Sequence, residues 1–161
     1  MKRHKSLHAL SQHHHFALIQ SLFIRRARQQ PPAKRAAALR RVAEKFLRFW
    51  EESGRLHFRE EEEVLLPAYA RHVSIEADAE VIRMLADHAA IRARIEQLRE
   101  RLEAGHPVEQ DLAGLGRMIS DHVRLEENQV FPRIEKMLSE SELAALARRL
   151  TRLHAKDSCA R

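Results

Sequence analysis

The sequence predicts an all-α protein: an up-down-up-down antiparallel four-helix bundle with a short fifth helix. Three observations predict it. Apolar residues recur at steps of three and four through most of the 161 residues. Ala, Leu, Arg and Glu, all strong helix formers, dominate the composition. Breaks are few, with 4 glycines and 5 prolines. Nothing in the sequence marks a second domain, so residues 1–161 are taken as one.

The elements follow in order. A first helix is expected from about Ser6 to Gln29, stopped by Pro31 and Pro32. A second runs from about Ala33 to His72; Gly54 weakens its middle, and Pro67 should bend or end it. Ser74 is the expected N-cap of a third helix, which reaches Glu103. The stretch AGHP (residues 104–107) is the clearest loop. A fourth helix spans about Val108 to Leu138, so the bundle covers about 6–138. SESEL opens the short fifth helix, about 141–154, expected to pack across one end, and residues 155–161 read as a frayed tail.

Composition limits the function. The net charge is +6 and the pI near 10.1, which would suit an anionic partner. Yet the basic residues spread along every helical segment, aromatics make up 5%, and no nucleic-acid motif is present. Nucleic acid is therefore not an expected partner. The basic N-terminus lacks the apolar region of a signal peptide, and no apolar run approaches a membrane span. A single cysteine, Cys159, fits a reducing compartment, so the expected location is cytoplasmic.

Eleven histidines are many for this length. One falls in the core stripe of each long helix. The first stripe reads Leu7, Leu10, His14, Ala17, Ser21, and the third Val81, Leu85, His88, Ile91, Ile95, Leu98, Leu102. The second reads Val42, Phe46, Ser53, His57, Glu61, Val64, Ala68, and the fourth Leu112, Leu115, Ile119, His122, Glu126, Val130. Residues i and i+4 share a helix face, so His57 turns inward with Glu61, and His122 with Glu126. One buried histidine is ordinarily a hydrogen-bonded core residue. Four, together with two inward carboxylates, leave polar groups that a metal ion would satisfy at once. Imidazole and carboxylate donors suit iron, zinc, copper and manganese. His13 and His15 flank His14; His14 continues the stripe and is the preferred ligand, with His15 the alternative.

An internal repeat carries the same residues. HFREEEEVLLP, from His57 to Pro67, aligns without gaps on HVRLEENQVFP, from His122 to Pro132. Both share His at the start, Arg at +2, Glu at +4 and +5, and Pro at +10. Two helix pairs related by a pseudo-two-fold follow, and with them two metals rather than one. Glu62 recurs as Glu127, a candidate for holding or packing the ligands; Glu60 and Glu63 have no acidic counterpart and read as solvated face.

These residues resemble the hemerythrin-like, HHE cation-binding family, whose pattern is a lone His on helices one and three and H-x-x-x-E-E-x-x-L-F-P on helices two and four. QHHHFAL, HFREEEEVLLP, LADHAAIRARI and HVRLEENQVFP match it over about Leu7 to Leu138. The resemblance implies a non-haem centre of two iron ions, oxo- or hydroxo-bridged. Glu61 and Glu126 would then bridge, with His14, His57, His88 and His122 as terminal ligands. Met84 and Arg92 stand four residues either side of His88, and Glu126 lies at +4 of its histidine. These departures from respiratory oxygen carriers make it similar to the bacterial four-His, two-Glu type.

The ligand implied is O2, NO or peroxide, in sensing, iron storage or repair, or scavenging. The alternative is a non-enzymatic iron-responsive module regulating a partner. Leu85, Ile91, Ile119 and Val64 are expected to restrict the pocket to small molecules. A ferritin-like site needs Glu-x-x-His on two helices, and only Glu103 with His106 offers it. His4 and His8 read as solvated, and His72, His106 and His154 as helix-end residues.

Overall fold

The computed structural model describes residues 3–159, with side chains through Asp157, and among these the chain is helical without a strand. We number five helical runs. α1 is His8–Arg28, entered through a tight turn at Lys5–Leu7. α2 covers 32–69, α3 is Ala79–Glu103, α4 covers 109–137 and α5 is Glu140–Cys159. Together they form an all-α bundle. None is long and apolar enough to cross a membrane.

Proline decides where α2 begins. Pro31 is extended, and Pro32 takes the first helical position, where a missing N–H leaves nothing unsatisfied. Pro67 sits inside α2, which ends two residues later at Tyr69. A helical proline removes a donor and presses on the carbonyl four residues back. Here the turn just upstream, Glu61–Leu65, is widened so that the Leu66 N–H reaches the Glu61 carbonyl five residues back. The helix absorbs the proline and continues to Tyr69. α4 repeats the device: the Phe131 N–H reaches the Glu126 carbonyl, ahead of Pro132. These two wide turns each start on one of the inward glutamates, a third lies upstream at Trp50–Gly54, and wide turns of this kind recur at functional sites.

Ser74 does not cap α3. It precedes a short turn, Ile75–Ala77, and its hydroxyl bonds to Glu76 at 2.6 Å. Asp78 is the cap instead, accepting from the Val81 N–H at 3.2 Å. The same carboxylate accepts from the Tyr69 hydroxyl at 3.0 Å and from Arg133 at 2.8 Å, tying α2, α3 and α4 together. α3 ends at Gly105, whose φ of 73° lets the His106 N–H return to the Arg101 carbonyl at 2.9 Å.

α5 runs to Cys159, past the expected end at His154. Leu143, Leu146, Leu150 and Leu153 bury its apolar side, and Asp157 pairs with Arg59 at 3.2 Å. Residues 160–161 of the expected tail lie outside the described residues.

Two apolar cores form. One gathers Leu7, Leu10, Leu65, Tyr69, Met84, Phe131 and Ile134 with the leucines of α5. The other gathers Ile24, Ala43, Phe46, Trp50, Ile91, Ile95, Leu98, Leu112 and Leu115. Burying each large apolar side chain contributes about 1.5–3 kcal/mol. The third stripe departs at its second position: Met84 is fully buried, whereas Leu85 is only half-buried. The polar layer of His14, His57, Glu61, His88, His122 and Glu126 lies between the cores along every one of α1 to α4.

Candidate metal centre

α1 supplies His14, α2 His57 and Glu61, α3 His88, and α4 His122 and Glu126. All six are buried, and Glu61, His88 and Glu126 are 0% exposed. The i, i+4 spacing sets Nε2 of His57 3.3 Å from Oε1 of Glu61, and Nε2 of His122 3.1 Å from Oε1 of Glu126. Across the bundle, Nε2 of His14 lies 2.8 Å from Glu126 and 3.6 Å from Glu61. Nε2 of His88 lies 3.3 Å from Glu61 and 3.5 Å from Glu126.

Two overlapping groups result: His14, His57, Glu61 and Glu126, and then Glu61, His88, His122 and Glu126. Within each, one donor atom from every residue lies within 4.8 Å of the others, and both glutamates are shared. Despite these short separations, Nε2 of all four histidines and all four carboxylate oxygens make no hydrogen bond. The donor atoms converge to ion-pair distance without hydrogen-bond geometry. Two buried carboxylates in that condition cost several kcal/mol each unless a cation compensates them. The donor set therefore fits a metal cation.

Protonation follows the same geometry. Burial would lower the His14 pKa, but Glu126, Glu127 and Glu61 raise it well above the usual imidazole range. His88 is likewise pushed down by burial and up by Glu126, Glu61 and Glu62, the net being about 11. His57, with burial dominant, falls to about 3. Burial and Glu126 push Glu61 up, yet the surrounding histidines bring it to about 2. Glu126 is raised by burial but held well below the carboxylate range, chiefly by His122. The carboxylates thus favour protons on His14 and His88, and a metal ion competes with those protons for Nε2.

The outer nitrogens of two histidines are held. Nδ1 of His14 meets Glu127 at 2.6 Å, and Nδ1 of His88 meets Glu62 at 2.7 Å. Arg3 grips Glu127 at 2.7 Å and Arg92 grips Glu62 at 2.8 Å. His14 stacks on Phe131 with centroids 5.1 Å apart, and His88 on Phe58 at 3.8 Å. Each arginine also lies over the same phenylalanine, at 5.3 and 5.2 Å. A carboxylate on Nδ1 turns Nε2 toward the centre and raises its basicity. His57 and His122 are held less closely; their Nδ1 atoms lie 3.9 Å from Glu60 and 3.8 Å from Asp87.

His15 is exposed and belongs to neither group. Glu63 is exposed and pairs with Arg59 at 2.8 Å. Glu60, expected on the solvated face, is 0% exposed because His13 of α1 and His154 of α5 cover it. His154 therefore sits inside α5, not at a helix end. A cavity beside the histidines has about 40 Å³ for the centre of a water-sized molecule. Ile91 and Ile119 line it as expected, but Leu85 and Val64 do not; Phe46, Trp50 and Phe58 take their place. Phe58 stood next to His57 in the repeat, yet its partner Val123 is not aromatic, so the repeat gave no signal for it.

Residues 6–134 match the family model of the hemerythrin HHE cation binding domain. No curated protein and no solved structure matches the chain.

Proposed function

Because the chain belongs to the hemerythrin HHE cation-binding family, we propose that it is a non-haem di-iron protein that binds or reacts with O2, NO or peroxide. His14, His57, His88 and His122, with Glu61 and Glu126, would hold the two irons. The observation that carries this is the sharing of both glutamates by two four-residue groups. When bound, iron supplies redox chemistry and open coordination positions for a small ligand.

The chain's own residues shape that chemistry. Glu127 and Glu62 orient His14 and His88 and accept their Nδ1 protons. Phe58 and Phe131 cover two imidazole faces, and the apolar cores on either side keep bulk water out. The cavity of about 40 Å³ exceeds the minimum for one water and is small, which favours a ligand of two or a few atoms. The bundle is read as up-down-up-down, since successive long helices run through the two cores in alternating order. The protein is taken as cytoplasmic, acting in sensing, iron storage or repair, or scavenging.

Protein purified from iron-rich, aerobic culture should carry roughly two irons per chain. His122→Ala and Glu126→Gln should lose most of it. Optical spectra should change on exposure to O2, NO or peroxide. Iron-free wild-type protein from that culture would refute the proposal. A second reading, an iron-responsive module that regulates a partner, is favoured by the spread of the six donors over four helices, so that losing the cation unties all of them. Rapid turnover of peroxide or NO selects the first reading. A large metal-dependent change in melting temperature without turnover selects the second.

A further inference from the structure

Outside the six central donors, a third group converges on the flank of α2. His13 from α1, Glu60 from α2 and His154 from α5 each bring one donor atom to within 4.8 Å of the others. Nδ1 of His13 lies 3.1 Å from Oε2 of Glu60, and Nε2 of His154 contacts Oε1 of the same carboxylate. Glu60 is 0% exposed, and neither of its oxygens makes a hydrogen bond. Nδ1 of His13 is buried and equally without one.

The fold does not require this carboxylate. In the repeat, Glu60 corresponds to Leu125, which is buried and apolar. His13 corresponds to Asp87, by the same offset that relates His14 to His88. The second half of the bundle thus lacks the group, so it is not a by-product of the pseudo-two-fold. Two imidazoles and one carboxylate form a His2Glu donor set, which binds a divalent first-row ion and leaves a position open. The side chain of His13 is 19% exposed and that of His154 39%, so the group is closed on the Glu60 side and reached from solvent past the two histidines. It borders the centre through His57, whose ring lies 5.3 Å from that of His13.

We propose that His13, Glu60 and His154 form a third, mononuclear site for a divalent first-row cation, more exchangeable than the buried centre. None of the three is a central donor, so the proposal does not rest on the di-iron reading.

Zn(II) titrated calorimetrically into chelator-treated, full-length protein tests it. His154→Ala should bind one equivalent fewer than wild type, with unchanged helical circular dichroism. Glu60→Leu, which installs the residue of the other half, should lose at least that equivalent, because Glu60 also faces Nδ1 of His57 at 3.9 Å. His15→Ala removes an exposed histidine of the same run and should bind as many as wild type. The difference between proteins decides, so the result holds whatever the buried centre takes up. Equal zinc stoichiometry in wild type and His154→Ala would overturn the site. So would an equal loss in His15→Ala, which would mean surface histidines alone bind the ion.

Discussion

Gly54→Ala sets helix propensity against packing at the wall of the cavity. A Cβ at residue 54 would lie 2.4 Å from Cε3 of Trp50, about 1 Å inside the 3.4 Å at which ordinary contact starts. The ring cannot retreat easily, being 6% exposed and packed edge-on against Phe58 at 5.2 Å. Alanine in a helix interior gains about 0.5–1 kcal/mol over glycine. Overpacking a filled core costs about 1–3 kcal/mol. Packing outweighs propensity over nearly all of this range, and the net effect is a loss of up to about 2.5 kcal/mol, a fall in melting temperature of a few degrees at this size. Urea unfolding of chelator-treated protein measures it free of metal linkage. Trp50 is the only tryptophan, so its fluorescence reports the displaced ring directly. In a Trp50→Leu background the ring is gone, and the same substitution should stabilise by about 0.5–1 kcal/mol. If Gly54→Ala stabilises the wild-type chain, or costs the same in both backgrounds, the contact does not control the site.

Two further predictions concern carboxylates. Glu62 is pushed up by burial but held low by His88 and Arg92, so Glu62→Gln removes the anion that orients His88. Metal retention against a competing chelator should fall about 10–100-fold. Glu63→Gln, at the exposed neighbour, should leave it unchanged; equal retention in both variants would refute the role. Asp78 is raised by burial but drawn below its ordinary value by Arg133, the Val81 N–H and Tyr69. A depressed carboxylate contributes stability above its unfolded pKa, about 3.9, and loses it as pH falls through the folded value. Asp78→Asn keeps the cap but loses the charge, so it should cost about 1.5–3 kcal/mol at neutral pH. The gap to wild type should close as the pH drops below about 4 in urea titrations. A gap independent of pH would refute the ionic role of Asp78.

The residues that local spacing governs were legible in the sequence. His57 with Glu61 and His122 with Glu126 are one turn apart, so helix geometry alone turns each pair to one face. The stripes placed His14 and His88 on inward faces, and the repeat exposed the symmetry of the site. The wide turns at Glu61–Leu65 and Glu126–Val130 were not legible, because Pro67 and Pro132 announce a disturbed helix without saying how it is absorbed.

Glu60 marks the boundary between the two kinds of information. Its sequence neighbours are charged, and nothing local distinguishes it from Glu63. It is buried because His13, 47 positions earlier, and His154, 94 positions later, close over it. The matching Arg–Glu–His–Phe clusters at His14 and His88 are equally non-local, drawing Arg3 and Phe131 to one and Phe58 and Arg92 to the other from positions the repeat does not relate. By itself the sequence determined which face of each helix turns inward, since periodicity is a property of a single helix. Which element then covers that face, and which carboxylate is thereby taken out of water, was decided only when α1, α2 and α5 packed together.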